Sequence, residues 1–409
     1  MTIFGILWIF ILVYCFRRKK DIAFLTIISA TLQCSNVFVI GSVGVGPQII
    51  TSIVFCVKMV INNKGRIRLW KKSISTISSI ILTLYIYLLF TSIKNSALND
   101  CIIKLVQLGI YIICFYFMFE LGEKLTNEEI YFFVRKLTIT LLIIGFIQFG
   151  ITSGILPRLS IVGTLLYNDS NKQVVYYNTD NWFRFTSTYM EPSYYSGFLD
   201  GSFFYFLANK EHRKKNYFLL VVIFFQILLT FSSTAYGVFA LMGIVYFILS
   251  IEMKFKFNLL LMALAGFAVM MLAFPNVMNS VIFKKFSGQS YAGRNPHIMR
   301  AMEMFKRSPI IGNGYKTARG SSIIETMLAE TGIIGCSLYI LLVISFVLLI
   351  KNYKKITYTF MAGLAVLSAI FTQIIAVPDL DICTFWMWLN VFALHYFAIS
   401  STKYPVSKV

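Results

Sequence analysis

Side chains able to do chemistry concentrate in two stretches of this sequence. In the run Arg184-Phe185-Thr186-Ser187-Thr188-Tyr189-Met190-Glu191-Pro192-Ser193, Pro192 suits the first turn of a helix, because its missing N–H is not needed there. Glu191 is thereby set at a helix N-terminus, where backbone dipoles favour the ionised carboxylate. It reads either as a helix cap or as a general base. Just before it, Tyr167, Tyr176, Tyr177, Trp182 and Phe183 are interspersed with Asn168, Asp169, Asn171, Gln173, Asn178, Asp180 and Asn181. Aromatic faces cover the C–H surface of a sugar while amides and carboxylates take its hydroxyls, though the same composition describes an aromatic belt at the headgroup level. The second stretch holds an amphipathic segment, Arg294 to Arg307, closed by Ser308-Pro309. Helical periodicity puts Ile298, Met302 and Phe305 on one face and Arg300, Glu303 and Arg307 on the other. Such a helix lies on or just above a membrane plane, and its guanidinium groups either snorkel at the interface or fork onto phosphate oxygens. After it, Gly312-Asn313-Gly314 allows close approach of backbone to a ligand. Asp379-Leu380-Asp381 is a formal Asp-x-Asp, but no His or Cys cluster accompanies it, and no metal site is expected.

The elements that position these residues follow from composition. Of the 409 residues 58% are hydrophobic and 13% charged, with a mean hydropathy of +0.75. So few charged side chains cannot cover a body of this size unless lipid is the solvent for most of it. Soluble enzymes are excluded, and the net charge of +20 is read against the bias of basic residues to cytoplasmic loops, not as affinity for nucleic acid. About thirteen apolar segments (range 11–14) are near spanning length: Thr2–Phe16, Ile22–Ile40, Ile49–Ile61, Ile74–Ser92, Ile102–Phe119, Ile130–Ile151, Ser193–Ala208, Tyr217–Phe231, Tyr236–Ile251, Leu259–Phe274, Gly332–Ile350, Ile356–Ala376 and Thr384–Ile399. Because hydrocarbon satisfies no open backbone and no ten-residue alternation is present, the expected class is an all-α polytopic membrane protein. Its parts are spans over 1–155, a long external loop over 156–192, spans over 193–274, a second long external loop over 275–322 that includes the amphipathic helix, and spans over 323–409.

Alternating spans bring Arg17 to Lys20, Lys64 to Lys72, Lys210 to Lys215 and Lys351 to Lys355 to one side, the cytoplasmic one, with the C-terminus there. About 23 of the 37 Lys and Arg fall on that side. The exception is residues 276–322, which hold Lys284, Lys285, Arg294, Arg300, Lys306, Arg307, Lys316 and Arg319. A basic external loop points to an anionic ligand. The first apolar stretch is followed by basic residues and reads as a retained anchor rather than a cleaved signal. The seven cysteines show no CxxC and imply no disulfide framework. A transporter of the flippase type also has this many helices, but would place ionisable residues at mid-membrane, where charges are few and Asp200 and Lys58 are the main candidates. A scaffolding protein would leave the basic external loop unexplained.

Gly293-Arg294, Phe305, Ser308-Pro309-Ile310-Ile311-Gly312-Asn313-Gly314-Tyr315 and Leu328-Ala329-Glu330-Thr331-Gly332-Ile333-Ile334-Gly335 together resemble the O-antigen polymerase/ligase superfamily, the Wzy-type polymerases and their ligase relatives. In that pattern an arginine precedes Pro-hydrophobic-hydrophobic-Gly-x-Gly, here by the fifteen residues from Arg294 to Pro309, and Leu-x-Glu-x-Gly then opens a span. Arg184 to Ser193 is similar to the segment that enters the span after that family's first long loop. The resemblance covers roughly residues 180–350 in detail. Ligases carry a His-Asn pair nine residues before the motif glutamate, where this chain has Ser321-Ser322, so the polymerase branch is the better match. The resemblance implies an enzyme that joins oligosaccharide repeats carried on undecaprenyl diphosphate at the outer face of the bacterial inner membrane, without nucleotide sugar, metal or cofactor. On that expectation Arg184, Arg294 and Arg300 hold the diphosphate. Glu191 or Glu330 takes the acceptor proton, His297 is a further candidate, and Tyr176, Tyr177, Trp182 and Tyr315 contact sugar. The anomeric centre inverts if the hydroxyl attacks opposite the diphosphate. Membrane lipid and a chain-length regulator are the implied partners, and the product is O-antigen or capsule.

Overall fold

The computed structural model describes residues 1–40, 43–64, 75–95, 97–157, 165–166, 184–249, 289–352 and 357–398. Helices account for almost all of them: α1 (Ile3–Cys15), α2 (Lys19–Ser29), α3 (Pro47–Asn62), α4 (Ser75–Lys94), α5 (Leu98–Gly122), α6 (Asn127–Thr152), α7 (Pro192–Ala208), α8 (Arg213–Leu229), α9 (Ser233–Leu249), α10 (Gln289–Arg307), α11 (Ile323–Asn352), α12 (Thr357–Ile375) and α13 (Cys383–Phe397). Five of them, α4, α5, α6, α11 and α12, are long and apolar enough to cross a membrane. Outward-facing apolar side chains such as Phe90, Ile103, Phe218, Ile248 and Leu348 form a surface that water would not tolerate at this extent. Of the expected spans, Leu259–Phe274 lies outside the described residues.

The second expected span, Ile22–Ile40, is corrected. Helix α2 stops at Ser29, about 16 Å long at 1.5 Å per residue and so short of a crossing. The polar run Gln33-Cys34-Ser35-Asn36 is the reason. Its backbone leaves the helix to pair with another segment, Gln33 and Cys34 donating N–H to the Thr188 carbonyl at 3.1 and 3.2 Å, while the Thr188 hydroxyl donates to the Thr31 carbonyl at 2.6 Å. Beyond it β1 (Phe38–Ile40) and β2 (Val43–Val45) form an antiparallel hairpin in the register Phe38↔Val45, Val39↔Gly44, Ile40↔Val43, a strand element absent from the all-helical expectation.

Helix α7 is the centre of the molecule. Every residue of it except Ser193 is buried, against α12, α8, α9 and α13, with Phe198, Phe203, Phe204, Tyr205 and Phe206 all at 0% exposure. Small residues permit the close packing, as in membrane helix pairs generally. A Cβ at Gly201 would sit 2.5 Å from Trp388 Nε1 of α13, so a larger side chain there would separate the two helices. Helix α6 begins with a capping box, Thr126 and Glu129 serving each other's backbone N–H.

The amphipathic helix is present as α10 and starts earlier than expected, at Gln289. Its docking face also differs. Ala301, with Met304 beside it, packs on Ala318 and on Ala329 of α11, while Met302 stays 46% exposed. The small side chain of Ala301 fits against the facing alanines; the larger Met302 and Met299 are left outward.

Candidate functional site

The site is built on a broken helix. At Gly332, α11 adopts φ 64°, ψ −165°, a region that side chains with a Cβ rarely enter. The break leaves four backbone groups without their helical partners, and residues 309–314 take all four. Ile333 N–H donates to the Pro309 carbonyl at 2.9 Å and Ile334 N–H to the Ile310 carbonyl at 3.3 Å. The carbonyls they would have used are occupied in turn: Asn313 Nδ2 donates to Ala329 at 2.8 Å, and Gly314 N–H donates to Glu330 at 2.8 Å. Gly312 is held so close that a Cβ would lie 2.3 Å from the Glu330 carbonyl oxygen. The paired glycine motifs of the sequence therefore join backbone to backbone, where a ligand contact was expected.

This splice sets the course of the next residues. Tyr315 N–H donates to Ser92 Oγ at 3.0 Å, and the Lys316 side chain enters a cavity of about 880 Å³. Lys316 Nζ lies 2.6 Å from Asp379 Oδ1 and 2.9 Å from Asp381 Oδ1. Arg319 reaches the other oxygen of Asp379 at 3.0 Å, and Lys104 of α5 the other oxygen of Asp381 at 3.1 Å. The turn carrying both aspartates is held by Gln373 Nε2, which donates to the Asp379 carbonyl at 2.9 Å, and by Trp386 Nε1, which donates to the Leu380 carbonyl at 2.9 Å. Burial pushes the Lys316 ammonium down and the Asp381 carboxyl up, but the ion pairs outweigh it, so Lys316 is raised and Asp381 lowered from their ordinary values. Asp379 and Asp381 are thus salted to three cations.

Two further carboxyls line the same cavity. Glu191 is the N-cap residue of α7, yet its side chain makes no capping hydrogen bond; it accepts instead from Ser193 Oγ at 3.1 Å. Glu330 is 1% exposed, and its Oε1 has no hydrogen-bond partner among the described residues. Gln33, Asn36, Gln48, Gln107, Tyr111 and Tyr194 complete the polar wall. Three cations, four carboxyls and these amides and phenols form a strongly polar site in which Asp379 and Asp381 are paired with all three cations.

Three of the residues expected in the site stand elsewhere. Arg184 donates from Nε to the Thr230 carbonyl at 2.8 Å and from a terminal nitrogen to that of Phe231 at 3.0 Å, where it closes the C-terminal end of α8. Arg300 and His297 are exposed on α10 and do not line the cavity. The Arg294 side chain, Tyr176, Tyr177 and Trp182 lie outside the described residues. Tyr315 is 1% exposed, its hydroxyl 3.5 Å from Asp381; it stands behind the cavity lining with little face to offer a sugar. Sequence reading misses Lys104, Lys316 and Arg319 as a group. Two of them belong to the basic loop, but Lys104, two hundred residues away, carries no local signal.

At the opposite end of the bundle Glu128, Glu211 and His212 present ligand atoms within 4.8 Å of one another. The Tyr358 hydroxyl touches both carboxylates, and Tyr131 stacks on the imidazole at 4.7 Å. Comparison of the chain with protein-family models, curated proteins and solved structures finds no match in any of the three.

Proposed function

We propose that the chain is a multi-pass glycosyltransferase of the bacterial inner membrane that polymerises undecaprenyl-diphosphate-linked oligosaccharide repeats at the outer face, into O-antigen or capsule. The observation that carries this reading is the cavity in which Lys104, Lys316 and Arg319 meet beside Glu191 and Glu330. In the reaction an acceptor hydroxyl gives its proton to Glu191 and its oxygen attacks the anomeric carbon. The bond from that carbon to the diphosphate oxygen breaks, and the lipid diphosphate leaves with the electron pair. Its new charge falls on the three cations, and preorganised charge of this kind is the strongest stabilisation such a site can give the transition state. Glu191 suits the base because it is partly exposed and can pass the proton to water, whereas Glu330 is fully enclosed and offers its partnerless oxygen to a sugar hydroxyl. The diphosphate role moves from Arg184 and Arg300 to Lys104, Lys316 and Arg319, while the Arg294 side chain lies outside the described residues.

A rival reading has its own support. Asp200 in α7 is 0% exposed, and neither carboxyl oxygen has a partner among the described residues, a feature expected of an ion-coupled transporter such as a flippase. Deletion separates the two. Loss of a polymerase leaves a single repeat on the lipid core, and a deletion strain that makes no repeat at all would end the polymerase reading. In complemented cells Arg319→Ala and Lys316→Gln should each cut long-chain product by roughly 10²–10³-fold, while Arg300→Ala keeps it.

A further inference from the structure

We propose that Asp379 is a built-in stand-in for a substrate phosphate, occupying the cation pair until a diphosphate enters and displaces it. The inference rests on the diphosphate reading of the cavity. Asp379 spreads its two oxygens over two donors, Oδ1 on Lys316 at 2.6 Å and Oδ2 on Arg319 at 3.0 Å. One planar anion bridging an ammonium and a guanidinium is also how two non-bridging oxygens of a phosphate would bind. The neighbouring Asp381 is different in kind. Its side chain is 7% exposed against 21% for Asp379, and it holds Lys316 and Lys104 from the cavity floor.

This asymmetry makes one carboxylate fixed and the other displaceable. If Asp379 swings out, Lys316 and Lys104 stay where Asp381 holds them, so the binding geometry survives. The swing needs only a side-chain rotation, because Gln373 holds the backbone at the Asp379 carbonyl. Arg319 is 59% exposed, which sets the exchange at the cavity mouth, where water receives the released carboxylate at little cost. The occupied pair keeps chloride and carboxylates of low charge out, while a diphosphate, with more charge and more oxygens, displaces Asp379. Tyr194 and Glu191 flank Arg319, so release of Asp379 happens beside the proposed base.

The full chain in nanodiscs tests this with inorganic pyrophosphate, farnesyl diphosphate and inorganic monophosphate as probes. Carbodiimide footprinting of the unmodified protein, read by mass spectrometry, should show Asp379 becoming more reactive with pyrophosphate and with farnesyl diphosphate while Asp381 stays protected. Enhancement by farnesyl diphosphate alone would assign the trigger to a lipid carrier, and by both to the diphosphate itself; either supports the stand-in. Asp379→Asn should tighten pyrophosphate binding roughly three- to tenfold, Glu191→Gln should tighten it less, and Asp381→Asn should weaken it. Unchanged Asp379 reactivity under saturating probe, or equal tightening by Asp379→Asn and Glu191→Gln, would overturn the stand-in. Pyrophosphate binding that is indifferent to Lys316→Gln and Arg319→Gln would instead remove the diphosphate reading beneath it.

Discussion

Lys316 has a positive φ of 60°, uncommon for a residue with a long side chain and a mark of a position its surroundings hold in place. The surroundings are the Tyr315 amide on Ser92 and two aspartates at the far end of the side chain. Asp381 gains in the same exchange. Its folded pKa lies below the unfolded value, so its contribution to stability is present above about pH 4, the ordinary carboxylate value, and is lost as pH falls through the depressed folded value. Thermal unfolding in detergent between pH 7 and pH 3 should therefore show a loss of stability below about pH 4 that is smaller in Asp381→Asn. Identical acid profiles would mean that Asp381 is not stabilised by its lysines. The two proposed roles of Glu191 and Glu330 also part at this level. Glu191→Gln should lower turnover by about 10²–10⁴-fold with substrate binding retained, whereas Glu330→Gln should raise KM more than it lowers kcat. The reverse pattern would exchange their roles.

The break in α11 and the loop that repairs it act as one element. Because Gly332 occupies a conformation open mainly to glycine, and because a Cβ there would lie 2.4 Å from the Ile310 carbonyl oxygen, Gly332→Ala should cost roughly 2–4 kcal/mol. Asn313→Ala leaves the Met304 and Ala329 carbonyls without its amide and should cost about 1–3 kcal/mol. A melting temperature unmoved by both changes would mean that the splice does not hold the loop. Sequence reading finds the two halves of this element, and it places a span opening at Gly332, because glycine and proline punctuate the chain visibly. It does not find that the halves bind each other, since hydrogen bonds between residues far apart in sequence leave no periodic trace. The failed span Ile22–Ile40 has a similar cause. Its mean apolarity is high, and the polar run Gln33 to Asn36 ends it early because its backbone pairs with Thr188, a partner far away in sequence. Lys104 stays hidden because a single basic residue in a spanning helix looks like any snorkelling lysine until Asp381 is seen opposite it.

For the molecule as a whole, the described chain sorts its polar chemistry to two ends. The cavity gathers the end of α2, the hairpin, the starts of α3, α5, α7 and α11 and the turn between α12 and α13. At the other end are the Lys20–Glu129 pair and the Glu128, Glu211, His212 and Tyr358 cluster. Helices that alternate in direction deliver these two sets to opposite faces, and the basic runs Arg17 to Lys20 and Lys210 to Lys215 lie with the second set. On the proposed orientation, which follows the bias of basic residues to the cytoplasm, the cavity opens outward. Cys383 lines that cavity, and Cys34, Cys101, Cys114 and Cys336 are buried, so it reports the cavity's side directly. In a variant retaining Cys383 alone, a membrane-impermeant maleimide added to intact spheroplasts should label it, and pyrophosphate should slow the labelling. A second variant with all native cysteines replaced and Lys215→Cys added, an exposed position in the other set, should react only after the membrane is permeabilised. The opposite pattern would place the cavity in the cytosol, away from any lipid-diphosphate saccharide presented outside, and the proposed polymerisation could not take place there.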